Sequence, residues 1–386
     1  MSATQPTPPP VHTPPPGETP TRRPADGTLI SQVQHGQSRY VTVMLGLAAT
    51  LGALLLMHQF SGIIGPVFLA LNLVIAAYPI HTWLRSKGTP GWLSASVMLL
   101  AVVVILLAAV VGLVWAVSSM VTELPKHSAQ YFALYDQAIA LLNHYGINTV
   151  GFSDIMNQIN PSSLANLLLT AMSSAYSIIA VVVTILATLV FLAMDTPGMR
   201  DRIKKSSADY PPLGKSMVDF TWHVRRYWVT TTIFGAIVAT LNGLALFAMG
   251  VPLAAVWALF AFLTNYIPNI GFVIGLIPPA LLAMLVGGWQ LAVAVVVVYS
   301  VSNFVIQGII QPRIVGETVG IVPTVSFASL LLWGFVLGAL GTLVALPMTL
   351  LFKAMFIDTD PKADWAHALI STANPPRKTK RKPRSS

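Results

Sequence analysis

Between Tyr227 and Phe352 the only formally charged side chains are Arg313 and Glu317, although the whole sequence holds 22 Lys+Arg and 13 Asp+Glu. A stretch so poor in charge cannot clothe a soluble domain, in which roughly 25% of residues are charged; here the figure is 9%, with 55% hydrophobic. A bilayer core of ~30 Å is crossed by ~20 apolar residues in a helix. Several runs reach that length, and none alternates as a membrane β-strand does. The expected fold is therefore all-α: a polytopic transmembrane helical protein with about eight spanning segments. A charge left in hydrocarbon costs roughly 2.5 to 3.5 kcal/mol on insertion scales. Arg313 and Glu317, one helical turn apart, thus form either a functional pair or a structural ion pair at a helix end.

Residues 1 to about 38 are rich in Pro, Thr and Ser (PTPPPVHTPPPGETPTRRP). They cannot bury enough apolar surface to fold and read as a disordered tail. No basic region with an apolar core opens the chain, so no cleavable signal is expected. Tyr40 to Met57 and Gly62 to Ile80 make a helical hairpin. The following loop carries Arg85 and Lys87 and no acid, which places it, and hence the N-terminus, in the cytoplasm. A third span runs from about Ser94 to Val121, and residues 122–168 should face outward as two amphipathic helices lying on the membrane or on a neighbouring subunit. The fourth, about Leu167 to Met194, stacks Ser173, Ser177, Thr184 and Thr188 on one face and ends at Asp195. Residues 195–228, with Arg200, Arg202, Lys204, Lys205, Lys215, Arg225 and Arg226, read as a cytoplasmic basic amphipathic segment resting on lipid headgroups. LGKS at 213–216 lacks the preceding glycine of a phosphate-binding loop, since position 209 is Asp.

Four further apolar runs follow, at 230–250, 252–286, 288–310 and 323–357. The second and fourth are too long for one crossing, and both are interrupted, by Pro268, Gly271, Pro278 and Pro279 in one and by Gly338, Gly341 and Pro347 in the other. Broken or re-entrant helices follow, and irregular backbone at membrane depth survives only inside protein or along an aqueous cavity. Whether each run crosses once or folds back, the basic tail at 358–386 returns to the cytoplasm. Arg313 lies outside with single crossings and inside with hairpins. The transporter domain is thus expected over 39–357.

IPNIGFVIGLIPP at 267–279, QPRIVGETVGIVP at 311–323 and LLWGFVLGALGTLVALP at 331–347 resemble the autoinducer-2 exporter family, over most of the chain except its tails. The resemblance implies a bacterial cytoplasmic (inner) membrane transporter. Some members are assigned to autoinducer-2 export and others to sodium/proton antiport. The chain departs from the pattern at Asn269, where an aromatic is expected, and at Phe272, where a proline is common.

Asn303, Gln307 and Gln311 are spaced by four, as are Asn265 and Asn269, so amides are expected to stack on helix faces. Buried amides must find partners, either neighbouring helices or a polar solute. Asn265, Pro268, Asn269, Gly271, Asn303, Gln307, Gln311, Arg313 and Glu317 are the candidate solute or ion pathway, with Asp195 a secondary carboxylate. The absence of cysteine excludes disulfides, thiolate metal sites and thiol catalysis. No HExxH or complete P-loop appears, so neither an enzyme nor a bound cofactor or metal is expected. The net charge of +9 sits in membrane-flanking segments and the C-terminal tail, which suits anionic lipid rather than nucleic acid. The expected function is a secondary transporter or exporter of a small polar solute. The alternatives are a cation/proton antiporter and, from another class, a non-transporting membrane scaffold. Expected partners are the bilayer, the solute or a monovalent cation, and further copies of the chain in a homo-oligomer.

Overall fold

The computed structural model describes residues 26–123, 175–268, 270–315 and 320–360, with isolated positions between 126 and 170 and at 370. Every regular element among them is helical: α1 Asp26–Gln59, α2 Ser61–Ser86, α3 Gly91–Glu123, α4 Ala175–Asp209, α5 Pro211–Ala248, α6 Ala254–Thr264, α7 Gly271–Asn303, a π-helical turn Phe304–Ile310, α8 Gln311–Val315, α9 Pro323–Leu343 and α10 Ala345–Phe356. Among the described residues, 7 helices are long and apolar enough to cross a membrane, and α6 and α10 are shorter apolar helices. The expected outer helices at 122–168 lie almost wholly outside the described residues.

The chain divides into two units, residues 1–55 and 56–386. The first contributes most of α1, which begins at Asp26, upstream of the boundary expected at 38, and contains the apolar run from Tyr40. Inside it the Thr50 hydroxyl donates a hydrogen bond to Gly46 O at 2.8 Å, as hydroxyls in apolar helices commonly do.

In the second unit α2 and α5 are central: α2 packs against α3, α4, α5 and α9, and α5 against α2, α4, α6, α7 and α10. The apolar positions that make these helices membrane-compatible also supply the core. Met98, Ile185, Leu189, Val224, Leu246, Trp257 and Val295 are fully buried. Thr184 and Thr188 bond carbonyls of their own helix at 2.8 and 2.7 Å, so the small hydroxyl face makes no polar bridge there. The basic segment expected at 195–228 is the end of α4 and the start of α5, meeting where Gly214 passes Ser207 too closely to admit a β-carbon. LGKS is thus helical.

Both over-long runs fold back, and so does the chain between the runs 252–286 and 288–310. On a straight helix Phe272 and Asn303 would stand ~46 Å apart, yet they line one small cavity. The reversal lies at Gly288, whose φ of 75° suits glycine alone. Likewise Ser329 Oγ donates to Ala345 O at 2.9 Å and Trp333 Nε1 to Thr349 Oγ1 at 2.9 Å. Those contacts require reversal at Gly338, where φ is 68°. A third reversal spans 265–270, between α6 and α7. At ~16 Å for α6 and ~22 Å for the first limb of α9, these limbs fall short of a ~30 Å core and read as re-entrant. Val322 N–H donates to Ile370 O at 3.1 Å, so the chain beyond α10 comes back beside the start of α9.

Not every expected breaker breaks the helix. Pro278 and Pro279 lie inside α7, with Pro279 buried. Neighbouring helices and local adjustment can satisfy the carbonyls that such prolines free. Pro347 lies in the first turn of α10, where an absent N–H costs little.

Candidate functional site

The break between α6 and α7 gathers polar groups from four elements. α6 runs apolar from Ala254 and stops at Thr264; the turn that follows cannot continue a helix through Pro268. Gly271 then lets α7 start hard against α6, where a β-carbon would overlap Thr264 O. This places Asn265 beside Gly235 of α5, again where a β-carbon would collide, so its carboxamide reaches α5 backbone. Asn265 Nδ2 donates to Thr231 O at 3.3 Å, and Gln307 Nε2 donates to Asn265 Oδ1 at 2.5 Å. The bridge thus joins α5, the turn and the π-helical stretch of the returning chain.

Beside it, Tyr227 O–H donates to Tyr266 O at 2.9 Å, and the Thr232 and Tyr266 hydroxyls share a bond of 2.7 Å. The Trp228 ring lies 5.4 Å from that of Tyr266, and its indole N–H donates to Asn72 Oδ1 of α2 at 3.3 Å. Asn72 is itself fully buried and donates to Phe68 O at 2.7 Å. Arg225 Nε donates to Ile75 O at 3.3 Å. These bonds tie the turn to α2 and α5 and leave no ionised side chain among the groups lining the cavity below.

That cavity, about 10 Å³, lies between α5, the end of α6 and both limbs of α7. Asn242, Thr264, Asn265, Tyr299 and Asn303 contribute its polar wall, and Gly271 and Gly275 let the facing helices close around it. Asn242 Oδ1, Tyr299 Oη and Asn303 Oδ1 are buried without a hydrogen-bond partner.

Of the expected pathway residues, the structure brings Asn265 and Gln307 into contact and places Pro268 and Gly271 on the adjoining turn. Asn303 faces the cavity. Gln311 is half-buried and Arg313 exposed. Residues 304–310 wind as a π-helix, whose wider turns carry the chain from Asn303 at the cavity to Gln307 at Asn265. Asn269 and Glu317 lie outside the described residues, and with Glu317 the Arg313 pairing. Asp195 pairs with Arg202 of its own helix at 3.2 Å, both side chains mostly exposed, and does not reach the cavity. Sequence reasoning passed over Asn72, Asn242 and Tyr299, and took Tyr227 and Trp228 as part of the segment resting on lipid headgroups, whereas both are buried. The signal was available for the first three, since Asn72, Asn242 and Tyr299 each interrupt an apolar run and a buried polar group must find a partner. Among the described residues no group of three His, Asp or Glu lies together in a way that could hold a metal.

Re-entrant limbs, a glycine- and proline-built break and an uncharged polar cluster within the helical bundle define a polytopic membrane protein of transporter architecture. The AI-2E family transporter profile matches residues 44–360, and the chain belongs to that family. It is 28% identical over 292 residues to the AI-2 transport protein TqsA of Escherichia coli, covering 75% of this chain and 84% of the relative. It is 27% identical over 337 residues to a putative transport protein of Haemophilus influenzae, covering 84% and 94%. With the putative transport protein YrrI of Bacillus subtilis it shares 25% identity over 318 residues, covering 76% and 85%. These relatives are named as transport proteins, not enzymes, and the chain is a multi-pass membrane protein of a bacterial transporter family.

Proposed function

We propose that the chain is a secondary exporter of a small, uncharged polar solute across the bacterial inner membrane. The observation that carries this reading is the Asn265–Gln307 bridge, two amides meeting at a re-entrant turn beside a polar cavity. Amides donate and accept, so opening this bridge exposes groups that can pass a hydroxyl- or carbonyl-bearing solute in place of each other. The name of the Escherichia coli relative makes autoinducer-2 the first solute to test. Cation/proton antiport is the second reading. It needs a titrating carboxylate at depth, which the uncharged cavity wall does not supply; Glu317, with Arg313 beside it in sequence, is the residue that would have to serve.

Arg85 and Lys87 after α2 and the basic C-terminal tail support a cytoplasmic side for both termini, and with the fold-backs Arg313 would belong to the same side. Arg226 lies over the Trp222 ring at 4.8 Å, with Trp222 half-exposed, an arrangement suited to anionic headgroups at the interface. The test is purified full-length chain in proteoliposomes, offered labelled autoinducer-2 or labelled sodium with and without a pH gradient. Saturable autoinducer-2 flux supports the exporter, sodium flux coupled to protons supports the antiporter, and neither leaves the scaffold.

A further inference from the structure

The cavity between α5, α6 and α7 is lined by residues whose oxygens the Asn265–Gln307 bridge does not serve. Asn242 and Tyr299 are each 1% exposed, and their Oδ1 and Oη, with Oδ1 of Asn303, have no protein partner. All three residues line a space of about 10 Å³, which is room for one water-sized group. Leaving a buried oxygen unpaired is unfavourable, and three on residues that line one small space call for a shared partner. Two are amide acceptors, and the third is a phenol that can donate. A water molecule has two protons and a lone pair for that set. A bare cation would meet no ionised ligand among the cavity residues and would lose its hydration in a space that admits one small particle.

We infer that a single water molecule is bound here, donating to Asn242 Oδ1 and Asn303 Oδ1 and accepting from the Tyr299 hydroxyl. It links α5 to the returning limb of α7 directly before the π-helical stretch that carries Gln307. The water is therefore a positioning ligand: it fixes Asn303, and one turn later the limb from which Gln307 reaches Asn265. The inference does not depend on the transported solute, and its test reads stability rather than flux.

The full chain in detergent is melted as wild type, as Asn242→Leu, as Tyr299→Phe, as the double variant, and as the triple variant with Asn303→Leu. Each single change should lower Tm by a few degrees by leaving the remaining oxygens under-satisfied. The double should lose clearly less than the sum, and the triple should recover towards wild type as the site becomes apolar. Strictly additive losses, or singles that leave Tm unchanged, overturn a shared ligand. Melting is repeated in sodium, potassium and ammonium chloride against choline chloride at fixed ionic strength. A rise specific to one cation that Asn242→Leu abolishes replaces the water by a cation and overturns the proposal. Should the leucine variants fail to fold, Tyr299→Phe, which removes one oxygen and keeps the ring, is compared with wild type by high-resolution structure determination. Ordered density bridging the three oxygens in wild type, weakened in the variant, supports the water; none in well-ordered wild type refutes it.

Discussion

Gln307→Leu separates a transport role from mere helix adhesion. The substitution roughly conserves volume, removes the Nε2 donor and leaves Asn265 Oδ1 without the partner it has at 2.5 Å. An acceptor orphaned in a dry interior costs ~1–3 kcal/mol, but bonds between helices in membranes average ~0.6 and reach ~1.7 kcal/mol. Because the pair is only part-buried, ~1 kcal/mol is the appropriate figure. Against a folding free energy of ~5–15 kcal/mol, that leaves the assembled protein nearly intact and lowers Tm by only ~1–2 °C in a chain of this length.

Transport should respond more strongly. If the amide pair opens to hydrogen-bond the solute, losing one member removes solute contact worth about 1.4 kcal/mol, or tenfold in rate. The assay is initial flux in proteoliposomes, normalised to monodisperse protein, with Tm followed in parallel. The double variant Asn265→Leu with Gln307→Leu is the control. It removes both partners of the bridge, so apart from the lost Asn265–Thr231 bond stability should return towards wild type while flux stays at a tenth or below. Flux that falls only in proportion to assembled protein, or that returns in the double variant, would refute the reasoning and leave the amides as adhesive between helices.

Three further outcomes are expected. Gly271→Ala should sharply reduce folded protein, because its β-carbon would overlap backbone at Thr264 O; Gly308→Ala, whose β-carbon meets only the Phe304 ring at 3.4 Å, should not, and size-exclusion yield decides. The chain has no cysteine, so Ser128→Cys or Ser153→Cys should react with an impermeant thiol reagent in intact cells and Ser206→Cys should not; the reverse pattern overturns the assigned orientation. Glu317→Gln should impair transport, and adding Arg313→Gln should not rescue it, whereas normal flux in the double variant would mark a structural pair.

The fold was legible where composition governs it. Apolar runs of spanning length, the Arg85–Lys87 loop and the over-long runs at 252–286 and 323–357 all announced helices and their interruption. Which residue interrupts was less legible. Pro278 and Pro279 looked like breakers and stay helical, while Gly288, between two runs that read as separate helices, makes the reversal. A proline's cost depends on who satisfies the carbonyl it frees, which is tertiary information, whereas positive φ at glycine leaves no mark in sequence beyond the glycine itself. The site divides in the same way. Asn265 and Gln307 stood out as amides in apolar surroundings, but their meeting across 42 positions depends on the reversal and on a π-turn, neither encoded in local spacing.

The two re-entrant breaks share a construction that explains why the bundle carries polar chemistry without charge. At each, a glycine takes the place of a side chain that would strike facing backbone, Gly271 against Thr264 O and Gly341 against Trp333 O. Near each, polar side chains bond across the reversal: Gln307 to Asn265 at one, Ser329 and Trp333 to the far limb at the other. His58, next to α2, brings its Nδ1 within 3.1 Å of both Phe335 O and Val336 O, carbonyls whose helix ends at Gly338. Short limbs leave helix ends inside the apolar layer, where each unpaired N–H or C=O costs several kcal/mol. Amides and hydroxyls satisfy such ends without the desolvation cost of an ion. On the proposed exporter reading, the same amides and hydroxyls would exchange partners with an uncharged solute, so holding a broken helix in a membrane and passing a polar molecule would draw on one set of residues.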